Sequence, residues 1–268
     1  MSIAKRLLGG LLGRPRGDLT PRVAFIFACQ RSGTTALLDF LMGAGPPIKA
    51  FSECDSPLTD QTPPEGGLTV RLNPIPDVER VLAATPEPVR IVKPLVESQS
   101  ARELLDRFPG SCGLWLYRDV REVAASMLAK WGPPAGAPHL WQVIDESDPT
   151  NWRAEKVPAH VRATLKELYA PDMSAEDAAA LFWWARNELF FAQGLERDRR
   201  VLLLDFVRMC TLPDYVDRAL DHFSIPHPSA VGHFRAEFSG KARELPLSPE
   251  VERLCRDLHA RLDRHRFP

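Results

Sequence analysis

The chain has 268 residues, a formal net charge of −1 from 34 Lys and Arg against 35 Asp and Glu, and five cysteines. That length buries a substantial core without metal or disulfide staples, and the near-neutral balance excludes polyanion binding through bulk charge, so no nucleic-acid partner is expected. Cys29, Cys54, Cys112, Cys210 and Cys255 are scattered and lack C-x-x-C spacing, which indicates neither a disulfide framework nor a zinc site and fits a reducing, cytoplasmic setting.

The amino terminus, "MSIAKRLLGGLLGRPRG", reads as a flexible basic arm over residues 1–20. Its leucine-glycine run is too short to span a bilayer, and the glycine pair disfavours helix. A weak contact of residues 1–16 with a membrane surface stays open beside the loose arm. From residue 21 to 268 the chain reads as a single domain. The strand candidates are Val23–Cys29, Ile48–Ser52, Val89–Lys93, Gly113–Tyr117 and Val201–Phe206. Helical spacing falls between them, at Thr34–Met42, Ala101–Phe108, Glu122–Trp131 and Ala178–Leu195. A last helix opens at Ser248, an N-cap followed by Pro249 at the first helical position. Alternation of this kind predicts an α/β fold, a central parallel sheet flanked by helices. The stretches "TDQTPPEGG" and "LNPIPD" read as loops. Around residues 132–176 a run rich in proline and tryptophan reads as an insertion outside the sheet, a binding wall or lid.

The first strand breaks abruptly into "QRSGTT", Gln30 to Thr35, before the helix begins. A buried strand feeding a small-residue turn and then a helix directs unpaired backbone N–H groups at the turn, which is a site for an anion. It is not an ordinary nucleoside-triphosphatase loop, G-x-x-x-x-G-K-[ST]. Ala28 replaces the first glycine, Thr34 stands where the lysine belongs, and there is no obvious acidic strand end for magnesium, the third strand ending in Lys93 and the fourth in Tyr117-Arg118. The turn therefore suits an anion held without metal. A second strand ends at Arg118, with Ser126 eight positions on inside the next helix, and a third ends at Lys93. Arg31, Lys93 and Arg118 would thus gather at one edge of the sheet, where open α/β sheets bind ligands.

These residues resemble the sulfotransferases that use 3'-phosphoadenosine 5'-phosphosulfate (PAPS). "QRSGTT" is similar to that family's 5'-phosphosulfate loop, P-[RK]-[SA]-G-[ST]-[ST], with Gln30 in place of the proline. "YRDVREVAAS", Tyr117 to Ser126, is similar to its 3'-phosphate motif, and "RVLLLDFV" and "SGKARELPLSPEVERLC" are looser matches to a later core strand and the carboxyl-terminal loop and helix. The resemblance implies a P-loop nucleoside triphosphate hydrolase-like fold and PAPS as co-substrate, with no metal. It implies cofactor contacts from Arg31, Ser32, Gly33, Thr34, Thr35, Arg118 and Ser126, with Lys241 and Arg243 in the carboxyl-terminal loop. It places Lys93 in the catalytic machinery. The cytosolic phenol and steroid branch carries a histidine base two positions after that lysine, where this chain has Leu95. The carbohydrate and tyrosylprotein branches use a glutamate after the second strand, which implies Glu53 as the base, with Asp55 as its rival. The acceptor would be a hydroxyl of a small molecule, sugar or lipid.

Two other readings stay open: a P-loop kinase using ATP, and a nucleotide-binding protein without turnover. Trp183 and Trp184 read as core, Trp131, Trp141 and Trp152 either stack on an acceptor or hold the insertion down, and His139 and His160 are spare bases. Oligomeric state is not legible in this sequence.

Overall fold

A computed structural model describes residues 22–43, 48–53, 57–59, 71–212, 214–225, 234 and 245–268. Its elements run β1 (Arg22–Ala28), α1 (Thr34–Gly43), β2 (Ile48–Phe51), α2 (Ile75–Ala84), β3 (Val89–Val92), α3 (Ala101–Arg107), β4 (Cys112–Tyr117) and α4 (Val120–Trp131). They continue through α5 (Ala137–Ile144), α6 (Ala159–Leu168), α7 (Ala175–Ala192), β5 (Val201–Asp205), α8 (Phe206–Thr211), α9 (Asp217–Phe223) and α10 (Pro249–His265).

The five strands form one parallel sheet in the order β2-β3-β1-β4-β5. Strand β1 is central, and Ala24 to Ala28 have no exposed surface, so it reads as an unbroken apolar run because both of its faces are covered. Its alternate side chains serve two cores. Phe25 and Phe27 join Trp115 and Tyr117 under α4, α7 and α10, while Ala24, Ile26 and Ala28 join Leu114 and Leu116 under α1 and α9. Helix α7 is buried along most of its length; Ser174 caps it by accepting from the Asp177 N–H at 3.0 Å. No helix among the described residues is long and apolar enough to cross a membrane.

The expected loop "LNPIPD" is corrected at its second half: Ile75, Pro76 and Asp77 open α2, which buries Val78 and Leu82. Proline is tolerated in the first turn because that turn's N–H groups lack intrahelical partners anyway, so the proline pair marked a helix start rather than a loop. The segment 132–176 stands outside the sheet and is largely helical. Helices α5 and α6 pack on α7 through Leu140, Val143, Ile144, Val161 and Leu165. Residues 175 and 176 belong to α7, and Phe206, expected in the last strand, opens α8 behind the Asp205 cap. The arm over 1–20 and the loop carrying Lys241 and Arg243 lie outside the described residues, as do Cys54 and Asp55.

Candidate active site at the carboxyl edge of the sheet

Parallel strands send all their carboxyl ends to one edge, and neighbours in the order β2-β3-β1-β4 deliver Glu53, Lys93, the turn 30–35 and Arg118 side by side. They line one cavity of about 260 Å³, together with Ser126 and Trp131 from α4. Among the predicted cofactor and catalytic residues, Arg31, Gly33, Thr34, Thr35, Glu53, Lys93, Arg118 and Ser126 all face it. Ser32 lies beneath the turn, fully buried.

The turn has a demanding shape. Arg31 stands at φ 69° and Gly33 at φ 95°, both in the left-handed region. A Cβ on Gly33 would lie 2.1 Å from the Phe206 ring, so only glycine lets the backbone pass there. Leu37 is the first residue of α1 to donate back to the turn, to the Gly33 carbonyl at 3.1 Å. The N–H groups of the preceding helical residues therefore have no intrahelical acceptor and sit at the positive end of the helix. The Ser32 Oγ is buried without a hydrogen-bond partner. An orphaned hydroxyl and a glycine-only backbone beneath open helix amides suit an oxyanion.

The charged groups are cross-linked. Lys93 Nζ donates to Thr35 Oγ1 at 3.1 Å and pairs with Glu53 Oε2 at 3.0 Å; the lysine side chain is 5% exposed and the glutamate 18%. Arg31 Nε donates to Ser126 Oγ at 3.0 Å, which ties the turn to α4, and its guanidinium lies 5.9 Å from the Trp131 ring centroid. Arg118 Nε donates to Glu122 Oε2 at 2.5 Å, and its guanidinium lies 4.6 Å from the Phe206 ring centroid. Asp119 caps α4, accepting from the N–H groups of Arg121 at 2.9 Å and Glu122 at 3.3 Å. Trp183 is core, as expected, and its Nε1 also donates to the Arg118 carbonyl at 3.0 Å. The arrangement can hold a phosphate or sulfate group on amides and cations with a carboxylate beside it, placed to accept a proton.

Sequence reasoning missed two residues of this neighbourhood. Phe206 closes the space over Gly33 and underlies Arg118, yet nothing in "LLLDFV" distinguishes it from an ordinary strand-end aromatic. Gln30 also lines the cavity with its Oε1 buried and unpartnered. Of the spare candidates, Trp131 faces the cavity, Trp152 is buried, and Trp141 is exposed against Tyr169. His160 is exposed, and His139 meets Trp131 edge-on at 6.2 Å. Among the described residues no group of three or more His, Cys, Asp or Glu could hold a metal ion.

The fold places the chain in a recognisable class, a parallel α/β sheet with a small-residue turn between its central strand and the following helix. No protein-family model matches the chain, and no curated protein is similar to it. Solved structures with a similar fold include two sulfotransferases. The sulfotransferase from Alicyclobacillus acidocaldarius superposes with a TM-score of 0.51 at 17% identity, over 96% of this chain and 98% of that one. The sulfotransferase domain from the curacin biosynthetic pathway gives 0.50 at 14% identity, over 89% and 98%. The described residues thus share the parallel α/β fold of these sulfotransferase structures.

Proposed function

We propose that the protein is a PAPS-dependent sulfotransferase that moves the sulfuryl group to a hydroxyl of a small-molecule, sugar or lipid acceptor. The observation that carries this reading is the convergence, in one cavity, of the turn 31–35, Lys93, Arg118 and Ser126 with the carboxylate of Glu53. The kinase reading has no comparable support, because no lysine occupies the position that serves a nucleotide's outer phosphates in that loop.

In this mechanism the amides of the turn and the Arg31 guanidinium hold the 5'-phosphosulfate, while Arg118 and Ser126 take the 3'-phosphate, Arg118 sharing its charge with Glu122. Lys241 and Arg243 complete that grip from the carboxyl-terminal loop. Glu53 accepts the proton of the acceptor hydroxyl as its oxygen attacks sulfur, as in the glutamate-base branches of the family. The bond between sulfur and the bridging phosphate oxygen breaks in line, and the leaving oxygen's charge falls on the turn amides and Lys93. Lys93 is already bonded to both sides of that transfer, to Thr35 of the turn and to Glu53. The segment 132–176 supplies the acceptor's wall.

Calorimetric titration of PAP, the desulfated product, in EDTA against wild type and Arg118→Ala tests the reading. Metal-independent binding that weakens by ~10-fold or more in the variant supports it, the expected loss for a charge-assisted contact. No binding to the wild type, with ATP-magnesium bound instead, would overturn it.

A further inference from the structure

Arg118 and Ser126 both line the cavity, and the residue midway between them in the chain is an acid, Glu122. Residues four apart are neighbours on a helix surface, so Glu122 and Ser126 share one face of α4, a turn apart. Glu122 is also bonded to the arginine: its Oε2 accepts from Arg118 Nε at 2.5 Å, and the two side chains are only 15% and 12% exposed. A phosphate gripped by Arg118 and Ser126 together is therefore held beside Glu122.

Neither partner is placed to withdraw. The Arg118 guanidinium lies over the Phe206 ring, 4.6 Å from its centroid, and the Arg118 carbonyl accepts from Trp183 Nε1 at 3.0 Å. Glu122 stands in the first turn of α4, where the positive end of the helix favours its negative charge whether or not Arg118 neutralises it. Two anionic oxygens bonded to one guanidinium lie within ~6 Å of each other, and like charges that close repel in a partly buried site. Lys93 is matched by Glu53 in the same way, but in the proposed reaction Glu53 has a proton to accept. Glu122 has no such task, and a neutral glutamine would serve the same hydrogen bond to Arg118. What the carboxylate adds is its charge.

We propose that Glu122 is a release residue: it competes with the 3'-phosphate of the nucleotide for Arg118, weakens the grip on that phosphate, and takes the arginine back into a neutral pair as the product leaves. This rests on the sulfuryl-transfer reading, in which Arg118 and Ser126 hold the 3'-phosphate. A largely buried arginine needs a counter-charge while the site is empty, and Glu122 supplies it. PAPS and PAP carry the same 3'-phosphate, so every increment of affinity for that group holds the product as firmly as the substrate and does nothing for the transfer itself. Glu122 lowers this shared affinity and leaves the 5' end, where sulfur is transferred, untouched. It acts through Arg118 and is a positioning residue, not a catalytic one.

PAP and AMP, which lacks the 3'-phosphate, are titrated by calorimetry onto wild type and Glu122→Gln, a change that keeps the size of the side chain and its hydrogen bond and removes only the charge. The variant should bind PAP ~10-fold or more tightly while its affinity for AMP moves by less than ~3-fold. Unchanged or weaker binding of PAP overturns the proposal, and so does an equal gain for AMP, which would place the effect away from the 3'-phosphate. A merely structural role for Glu122 would not move the preference for PAP over AMP upward. Should Glu122→Gln fail to fold, the double variant Arg118→Gln with Glu122→Gln, which leaves no charge unpaired, is compared with Arg118→Gln: tighter PAP binding by the double variant supports the repulsion, and equal affinity overturns it. Failure of PAP to bind the wild type would sink the sulfuryl-transfer reading alone. Inorganic phosphate, read by thermal shift on the same proteins, then tests the competition for Arg118, with tighter binding by Glu122→Gln supporting it and equal binding overturning it.

Discussion

Lys93 and Glu53 form a largely buried ion pair at 3.0 Å within the site, and their substitutions separate binding from chemistry. Glu53→Gln removes the proposed base and leaves the cations in place, so turnover with labelled PAPS should fall by ~10²- to 10⁴-fold while PAP still binds. Full turnover in that variant, with loss in Asp55→Asn, would move the base to Asp55. Gly33 is bounded by backbone and ring alike. Gly33→Ala should cost about 2–4 kcal/mol, combining a left-handed alanine with displacement of the buried Phe206 ring, and should abolish PAP binding; denaturant unfolding and calorimetry check both. His139 gives the fold a pH dependence. Its imidazole is pushed from 6.5 down to about 4, by burial first and the charge of Arg153 second. As pH falls through that interval the unfolded chain takes up a proton that the folded one refuses, so stability is complete above about 6.5 and is lost toward 4. Urea unfolding of wild type and His139→Gln at about pH 7 and pH 5 should show a smaller loss in the variant. Equal losses would assign the slope to other groups.

At the scale of elements, the junction of β4 and α4 does two jobs with adjacent residues. Arg118 reaches the cavity, while Asp119 stops the strand and starts the helix by accepting two of its free N–H groups. Asp119→Ala should therefore cost ~1 kcal/mol and weaken PAP binding, because Arg118, Glu122 and Ser126 all depend on that helix start. Asp119→Ser, which can still cap, should recover most of both effects. PAP affinity unchanged in Asp119→Ala would show that the Trp183 bond to the Arg118 carbonyl suffices to hold the arginine.

At the scale of the whole molecule, the segment 132–176 shares one of the sheet's two apolar cores, through Leu140, Val143, Ile144, Val161 and Leu165, and adds a polar centre of its own. That centre is the buried Arg162. Its guanidinium donates to the carbonyls of Val143, Ile144, Ala154 and Val157 at 3.1–3.4 Å. Removing it leaves buried carbonyls without donors. Arg162→Ala should destabilise by about 2–4 kcal/mol, with hydrogen exchange rising across 143–157 before it rises in the strands. A uniform rise would mean that segment and sheet unfold as one unit.

The five strands and the small-residue turn after the first were legible in the sequence because each depends on local chemistry: apolar runs covered on both faces, small residues after a strand, and a proline or capping residue at a helix start. Lys93 and Arg118 were legible as strand-end residues and Arg31 as part of the turn for the same reason, whereas Glu53 was named only through the family resemblance. Helix α2 was not legible, since its opening prolines look like loop punctuation until Val78 and Leu82 are seen to pack. What only the tertiary structure decided is adjacency. The order β2-β3-β1-β4 is a property of pairing between segments far apart in the chain, and it alone sets Lys93 between Glu53 and Thr35. The same holds for Phe206 over Gly33, because burial and the loss of water belong to the packed molecule and not to any stretch of its sequence.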